Sequence, residues 1–372
     1  MTTPDDGGAF VPGLELARTL HEEAVRPLLA EAFPGLGYAA ARVGAGSEVL
    51  GFDTARSTDH DWGPRLELFL SPGDAARHGE RLREVLAHRL PRQVRGRSTH
   101  FRRGPDPLDP VRHPDWTEGP VDHLVEVHDV PSWLAARLGP AAAGWYRTDP
   151  GAGDWLALPQ QRLAEVTGGA VFHDGPGDLT AARRHLAWYP EQVWRYLLAC
   201  QWRRIEQEEA FVGRCAEVGD ELGSMVVAAR LVREVMRLSL LMERRYAPYG
   251  KWLGSAFGRT GAAGELGPLL HGALTFSHFT ERERYLCEAY EAAARRHNAL
   301  GLTAPLAAAR RPFHGRPYLV LDAGRFARAL LETVTDARLR ALPPVGGVDQ
   351  WTDSTDLLGL PQAVRTAVGA LG

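Results

Sequence analysis

The sequence predicts an α+β protein: a small α/β core with a mixed sheet over residues 11–150, then a mostly helical C-terminal domain over residues 151–372. Three observations carry this reading. Short apolar runs alternate with amphipathic stretches through the first part of the chain, the pattern of strands interleaved with helices. A Gly/Pro-rich segment at 138–153 interrupts that pattern. Beyond it come long segments of helical periodicity, with one short strand-like run, Pro317–Leu321.

Taken in order, residues 1–10 read as a disordered lead. Gly13–Phe33 has Leu14, Leu16, Leu20, Val25, Leu28 and Leu29 at helical spacing, and Pro27 predicts a kink or break in that helix. Tyr38–Val43 is a first core strand. A Gly-Ser turn and a short helix lead to a second strand carrying Asp59 and Asp61 and ending in the apolar run Leu66–Leu70. Pro72-Gly73-Asp74 stops the strand, and Asp74 is placed to cap a helix running to Leu90. A strand near Val94–Phe101 and a long proline-broken loop to residue 120 follow. Asp122–Val130 alternates as a strand, with Leu124, Glu126 and His128 on one face. Pro131 opens the next helix. The second half offers helices over Leu179–Trp188, Pro190–Val218, Asp220–Tyr246, Thr280–Leu300 and Gly324–Val334, and Thr280 with Glu283 forms a capping-box pattern. Trp188, Trp194 and Trp202 with Tyr189 and Tyr196 read as bundle core.

Composition narrows the function classes. The 372 residues suffice for two domains with a sizeable core. A net charge of −3 gives no overall pull toward nucleic acid and favours a small substrate over a long polyanion. Cys200, Cys215 and Cys287 stand far apart in no metal-ligand spacing, which points to free thiols and a reducing, cytoplasmic setting. The first residues carry no signal-peptide pattern, and no apolar run is long enough to span a membrane.

The chemistry concentrates in Val43–Leu70. Gly46-Ser47 at a turn offers backbone N–H groups and a hydroxyl to an anion. Asp59 and Asp61, two apart on a strand, aim at one point, and like charges that close call for a cation between them. Hard oxygen donors there suit magnesium, which takes one or two carboxylates plus substrate phosphates. As isolated features, Gly46-Ser47 is an ordinary turn and the two aspartates are a cap or solvated loop; the combination at this spacing moves the reading toward function. Lys251, in the aromatic turn at 248–252, has the reach to touch a nucleotide phosphate, although a surface lysine is an equal reading. Asp220 reads as a helix cap, and the Arg92–Arg103 cluster as a solvated strand edge.

Ala45-Gly46-Ser47, eleven residues, then Asp59-His60-Asp61 resembles the signature of the nucleotidyltransferase superfamily, the DNA-polymerase-beta-like fold. His60 stands where that family has an apolar residue. With Arg245–Phe257 and Gly346–Leu358, the chain is similar to an uncharacterised bacterial branch with a helical C-terminal domain. The resemblance implies phosphate binding at Gly46 and Ser47, and magnesium held by Asp59, Asp61 and a third carboxylate. It also implies transfer of a nucleoside monophosphate, AMP from ATP, to a hydroxyl. Glu126 is the choice for the third acid because it lies mid-strand; Asp129 and Glu67 are rivals. A small hydroxylated acceptor is favoured over an RNA end or a protein. The alternatives are a non-catalytic nucleotide-binding or regulatory protein that keeps the fold, and a growth-arresting or tRNA-modifying enzyme.

Overall fold

The computed structural model describes residues 10–105 and 111–369. Residues 1–9 of the expected disordered lead, residues 106–110 of the expected proline-broken loop, and residues 370–372 lie outside the described residues. The chain forms an α+β protein of two compact units. The first comprises the described residues up to Asp149 together with Arg162–Ala187; the second comprises Pro150–Gln161 and the described residues from Trp188 on. The chain thus passes to the second unit at Pro150, returns to the first at Arg162 and leaves it again after Ala187. The return has a direct cause: a strand at Ala170–Asp174 is needed to complete the sheet.

That sheet has four strands, β1 (Tyr38–Arg42), β2 (Arg65–Leu70), β3 (Leu124–Asp129) and β4 (Ala170–Asp174), in the order β3-β2-β1-β4. β1 runs antiparallel to both β2 and β4, and β2 runs parallel to β3, so the sheet is mixed. One face is apolar. Leu66, Leu68 and Leu70 of β2 and Val125 and Val127 of β3 pack with Leu16, Leu20, Leu82 and Leu86 of the helices. Alternation sends the intervening residues, Arg65, Glu67, Phe69, Glu126 and His128, to the other face.

The helices on the apolar face are α1 (Gly13–Thr19) and α2 (Arg26–Ala32), joined without a break by a π-turn at Leu20–Val25, and α3 (Pro72–Arg89). Pro27 does not stop the first helix. The Arg26 amide reaches back five residues to the His21 carbonyl, and this wider turn absorbs the proline's missing N–H and its ring. Ser71, not Asp74, caps α3: its hydroxyl accepts the Asp74 amide at 3.1 Å. Asp129, one rival for the third acid, caps α4 (Val130–Leu138) by accepting the Ser132 amide at 2.8 Å.

Asp59 and Asp61 are not on a strand. Thr54 and Ser57 form a reciprocal cap that starts a 3-10 helix, Ala55–Asp59. Asp61 follows in a left-handed bend at φ 47°. Pro64 lacks an N–H for the ladder, and β2 begins only at Arg65. The segment after the Gly-Ser pair is a chain of turns over 46–51 rather than a helix. Two short antiparallel strand pairs follow, Gln93–Val94 with Arg97–Ser98 and His100–Arg103 with Arg112–Asp115. The helix α5 (Ala152–Leu156) belongs to the second unit, α6 (Gln160–Thr167) enters the first, and α7 (Asp178–His185) follows β4.

The second unit is built on α8 (Glu191–Glu209), with α9 (Phe211–Glu217), α10 (Glu221–Met242), α11 (Gly250–Phe257), α12 (Ala263–Thr275), α13 (Phe279–Ala299) and α14 (Gly324–Thr333). Trp202 of α8 is fully buried, stacks on Phe326 of α14 at 4.7 Å and donates to His297 Nδ1 at 3.1 Å. Asp220 caps α10, and α10 ends at Met242. Among the described residues no helix is long and apolar enough to cross a membrane. The expected capping box at Thr280 is absent, because Glu283 instead accepts the Leu319 amide at 2.8 Å.

Glu283 shares this work with Glu209, which accepts the Leu321 and Ala323 amides at 2.8 and 2.9 Å. Burial pushes the Glu209 carboxyl up from 4.5 to about 7, and the two amide bonds only partly offset it. Its folded pKa therefore lies above its unfolded one. The stability this contributes is present below pH 4.5 and is lost as pH rises through about 7. The loss is on the order of 3 kcal/mol. Glu209→Gln is expected to flatten that part of the stability–pH curve, as measured by urea unfolding between pH 5 and 8.

Candidate functional site

Arg42 ends β1, is 1% exposed, and organises the loop that follows. Its Nε donates to Glu48 Oε1 at 2.8 Å, and Nη2 lies 2.6 Å from the same oxygen. Nη1 donates to Glu67 Oε1 at 2.7 Å and to the Val43 carbonyl at 2.8 Å, while Nη2 donates to the Ala45 carbonyl at 2.5 Å. Glu67 closes the circuit by accepting the Val43 amide at 3.0 Å. Burial alone would lower the Arg42 pKa, but Glu67 and Glu48 outweigh it and hold the guanidinium above its ordinary value.

This network dictates the Gly-rich loop. Gly46 sits at φ 149°, and a Cβ there would lie 2.5 Å from Arg42 Nη2 and 2.7 Å from the Glu48 carboxylate. Gly44, at φ 86°, has the Arg137 guanidinium where a Cβ would stand, 2.8 Å away. The Gly44 amide is used by the Glu165 carbonyl. The amides of Ala45, Gly46 and Ser47 make no hydrogen bond among the described residues. Three consecutive amides are thus left without a partner on a loop held from beneath by Arg42.

Asp59 ends the 3-10 helix and Asp61 stands two residues on, in the bend. Gly13, at the start of α1, abuts both Glu48 and Trp62 Nε1, at 2.8 and 3.0 Å from a notional Cβ. Asp53 ties Gly13 to Trp62 by accepting the Gly13 amide at 2.7 Å and Trp62 Nε1 at 3.3 Å. The bend is sewn to the strand Arg112–Asp115: Asp61 Oδ1 accepts the Arg112 amide at 3.0 Å, and the Asp61 amide donates to the Arg112 carbonyl at 2.8 Å. Asp59, with its side chain 66% exposed, holds His60 Nδ1 at 3.1 Å. Arg65 donates to the Asp61 carbonyl.

Glu126 stands in register with Glu67 across the parallel pair β2–β3. Their states differ. Glu67 is buried against Arg42, whereas Glu126 has a half-exposed side chain and accepts His128 Nε2 at 3.0 Å. The hydrogen bond from His128 leads in holding the Glu126 carboxyl down at about 2; burial opposes it, and the charges of His128, Arg65 and Arg137 add to it. Lys251 belongs to the second unit, where it opens α11 with Nζ 5.0 Å from the Trp252 ring centre.

Thus the fold gathers Gly46 with Ser47, and Asp59 with Asp61, while Glu126 sits on the sheet face among arginines. Among the described residues no three His, Cys, Asp or Glu side chains gather to hold a metal ion. Asp61 is engaged by Arg112, Asp59 by His60 and Glu126 by His128, so this donor set does not fit magnesium as it stands. Arg42, Glu48, Arg65 and Arg137 were not singled out by sequence reasoning. One signal was available for Arg42: a charged residue closing the alanine-rich strand YAAAR directly before a Gly-rich loop.

A family model described as "Domain of unknown function (DUF4037)" matches residues 155–253. No curated protein matches the chain. Among solved structures, the chain is similar to a nucleotidyltransferase-like protein from Exiguobacterium sibiricum 255-15. The identity is 13% and the TM-score 0.32, over 76% of this chain and 77% of that one. A likeness of that size carries no argument about fold or reaction.

The buried network makes a stability prediction. Arg42→Met leaves Glu48 and Glu67 as uncompensated buried carboxylates and is expected to cost about 3–5 kcal/mol. Arg42→Lys keeps the charge without the planar fork and should recover only part of that loss. Urea unfolding at pH 7 reads both.

Proposed function

We propose that the protein is a nucleotidyltransferase that moves a nucleoside monophosphate, AMP from ATP, onto the hydroxyl of a small acceptor. The observation that carries this reading is the loop at 45–47, with three free amides and a conformation fixed by the buried Arg42. The spacing from Gly46-Ser47 to Asp59-His60-Asp61 supports it further. In the reaction, the acceptor hydroxyl gives up its proton to solvent as its oxygen bonds to the α-phosphorus, the bond from that phosphorus to the bridging oxygen breaks, and pyrophosphate leaves. The loop would hold phosphate oxygens through its amides, and Arg65 and Arg137 would add positive charge beside Glu126. Magnesium belongs to the reading as the counter-ion that a triphosphate carries.

A second reading, nucleotide binding without transfer, is favoured by one observation: the acids Glu67 and Glu126 are both engaged by partners within the chain. The two readings separate in one experiment. The protein is incubated with each labelled nucleoside triphosphate and a cell extract, and label on small molecules, RNA and protein is followed with pyrophosphate release. Transfer predicts label from ATP with pyrophosphate, reduced at least about 100-fold by Asp59→Asn or Asp61→Asn. ATP binding without label or pyrophosphate from any nucleotide would establish the second reading instead.

A further inference from the structure

A cavity in the first unit shares no residue with the Gly-Ser loop. It has a volume of about 330 Å³ and opens between the end of α2 and one face of α3. The loop Phe33–Gly37 forms one wall. Asp74, His78 and Arg81, spaced four and three apart along α3, form the other.

We infer that this cavity binds a small molecule with a flat apolar body and one oxyanion, a carboxylate or a phosphate monoester. The cation is Arg81. Arg77 lies near Asp74, Arg83 donates to the Val127 carbonyl and Arg89 pairs with Glu31. Arg81 alone among the arginines of α3 has no hydrogen-bond or carboxylate partner among the described residues. Its guanidinium instead lies 5.2 Å from the ring centre of Phe33. A guanidinium shelved on an aromatic ring keeps its planar fork free for a carboxylate or phosphate. His78, edge-on to Phe33 at 6.0 Å, makes no hydrogen bond among the described residues and adds a ring N–H donor.

The rest of the wall fits the apolar body. Phe33 is buried, Ala32 and Leu36 are half-buried, and a Cβ at Gly35 or Gly37 would meet nothing within 4 Å. The Gly35 and Gly37 amides are without hydrogen bonds among the described residues. Asp74 is the one acid of the lining. Its Oδ2 accepts the Ser71 hydroxyl at 2.7 Å, so its charge is held at the cap of α3, seven residues from Arg81. The volume lies at the lower end of the range for small-molecule sites.

The test uses the full chain, labelled with nitrogen-15, titrated with phenyl phosphate, benzoate and inorganic phosphate. Phenyl phosphate and benzoate are expected to give saturable shifts at Gly35, Gly37 and His78. Phenyl phosphate should bind at least about threefold tighter than inorganic phosphate, because only it fills the apolar wall. Arg81→Gln should weaken phenyl phosphate binding about tenfold or more with an unchanged melting temperature, since Arg81 is exposed. Absence of saturation up to about 10 mM would overturn the inference, as would undiminished binding by Arg81→Gln. Inorganic phosphate binding as tightly as phenyl phosphate would overturn the ligand class.

Discussion

A buried arginine between two buried glutamates is the constraint on which the first unit depends. Arg42, Glu48 and Glu67 are each 3% exposed or less, so none has water to fall back on. Their mutual attraction offsets desolvation only because the geometry is tight and the remaining donors reach main-chain carbonyls. The consequence runs outward. Arg42 holds the carbonyls of Val43 and Ala45, Glu67 holds the amide of Val43, and between them the chain can turn only where glycine permits. A loop fixed in this way holds its conformation without help from a ligand.

The sheet divides the work between its faces. On one, leucines and valines of β2 and β3 meet α1 to α3 and supply the hydrophobic core. On the other, the same strands present Arg65, Glu67, Glu126 and His128. Period two makes both faces follow from one register, so a slip of one residue would bury the charges and expose the leucines. The α+β architecture therefore positions the polar cluster as a by-product of burying the core, and α4 contributes Arg137 to it, beside Gly44.

Much of this was legible in the sequence because strand alternation and helical spacing are local. Leu124, Glu126 and His128 share a face as their spacing requires, and the aromatic residues Trp194, Trp202, Tyr189 and Tyr196 are buried in the second unit as their clustering suggests. What was hidden is non-local. β4, AVFHD, is five residues long between glycines, and only its pairing with β1 marks it as part of the sheet. The acidic pair was assigned to a strand because period two and a 3-10 turn both suit a short polar stretch. The deciding influences were the Thr54–Ser57 cap and Pro64, which act on the backbone rather than on polarity. The Arg42 network could not be found by spacing, since Glu67 lies 25 residues away and reaches Arg42 only through the antiparallel pairing of β1 with β2.

The acids differ in how much it costs to redirect them, and this bears on the chemistry. Asp59 is solvent-exposed, and its contact with His60 is of the kind worth about 0–1 kcal/mol. Asp61 gives up one bond to a main-chain amide if it turns, again on the order of 1 kcal/mol. Glu126 must release His128, a charge-assisted bond at a half-exposed site, for about 1.5–3 kcal/mol at most. Removing Glu48 or Glu67 from Arg42 strands a buried charge at about 3–5 kcal/mol. The exposed acids on the bend and on β3 are therefore the ones that can be redirected at small cost, whereas Glu48 and Glu67 are committed to Arg42.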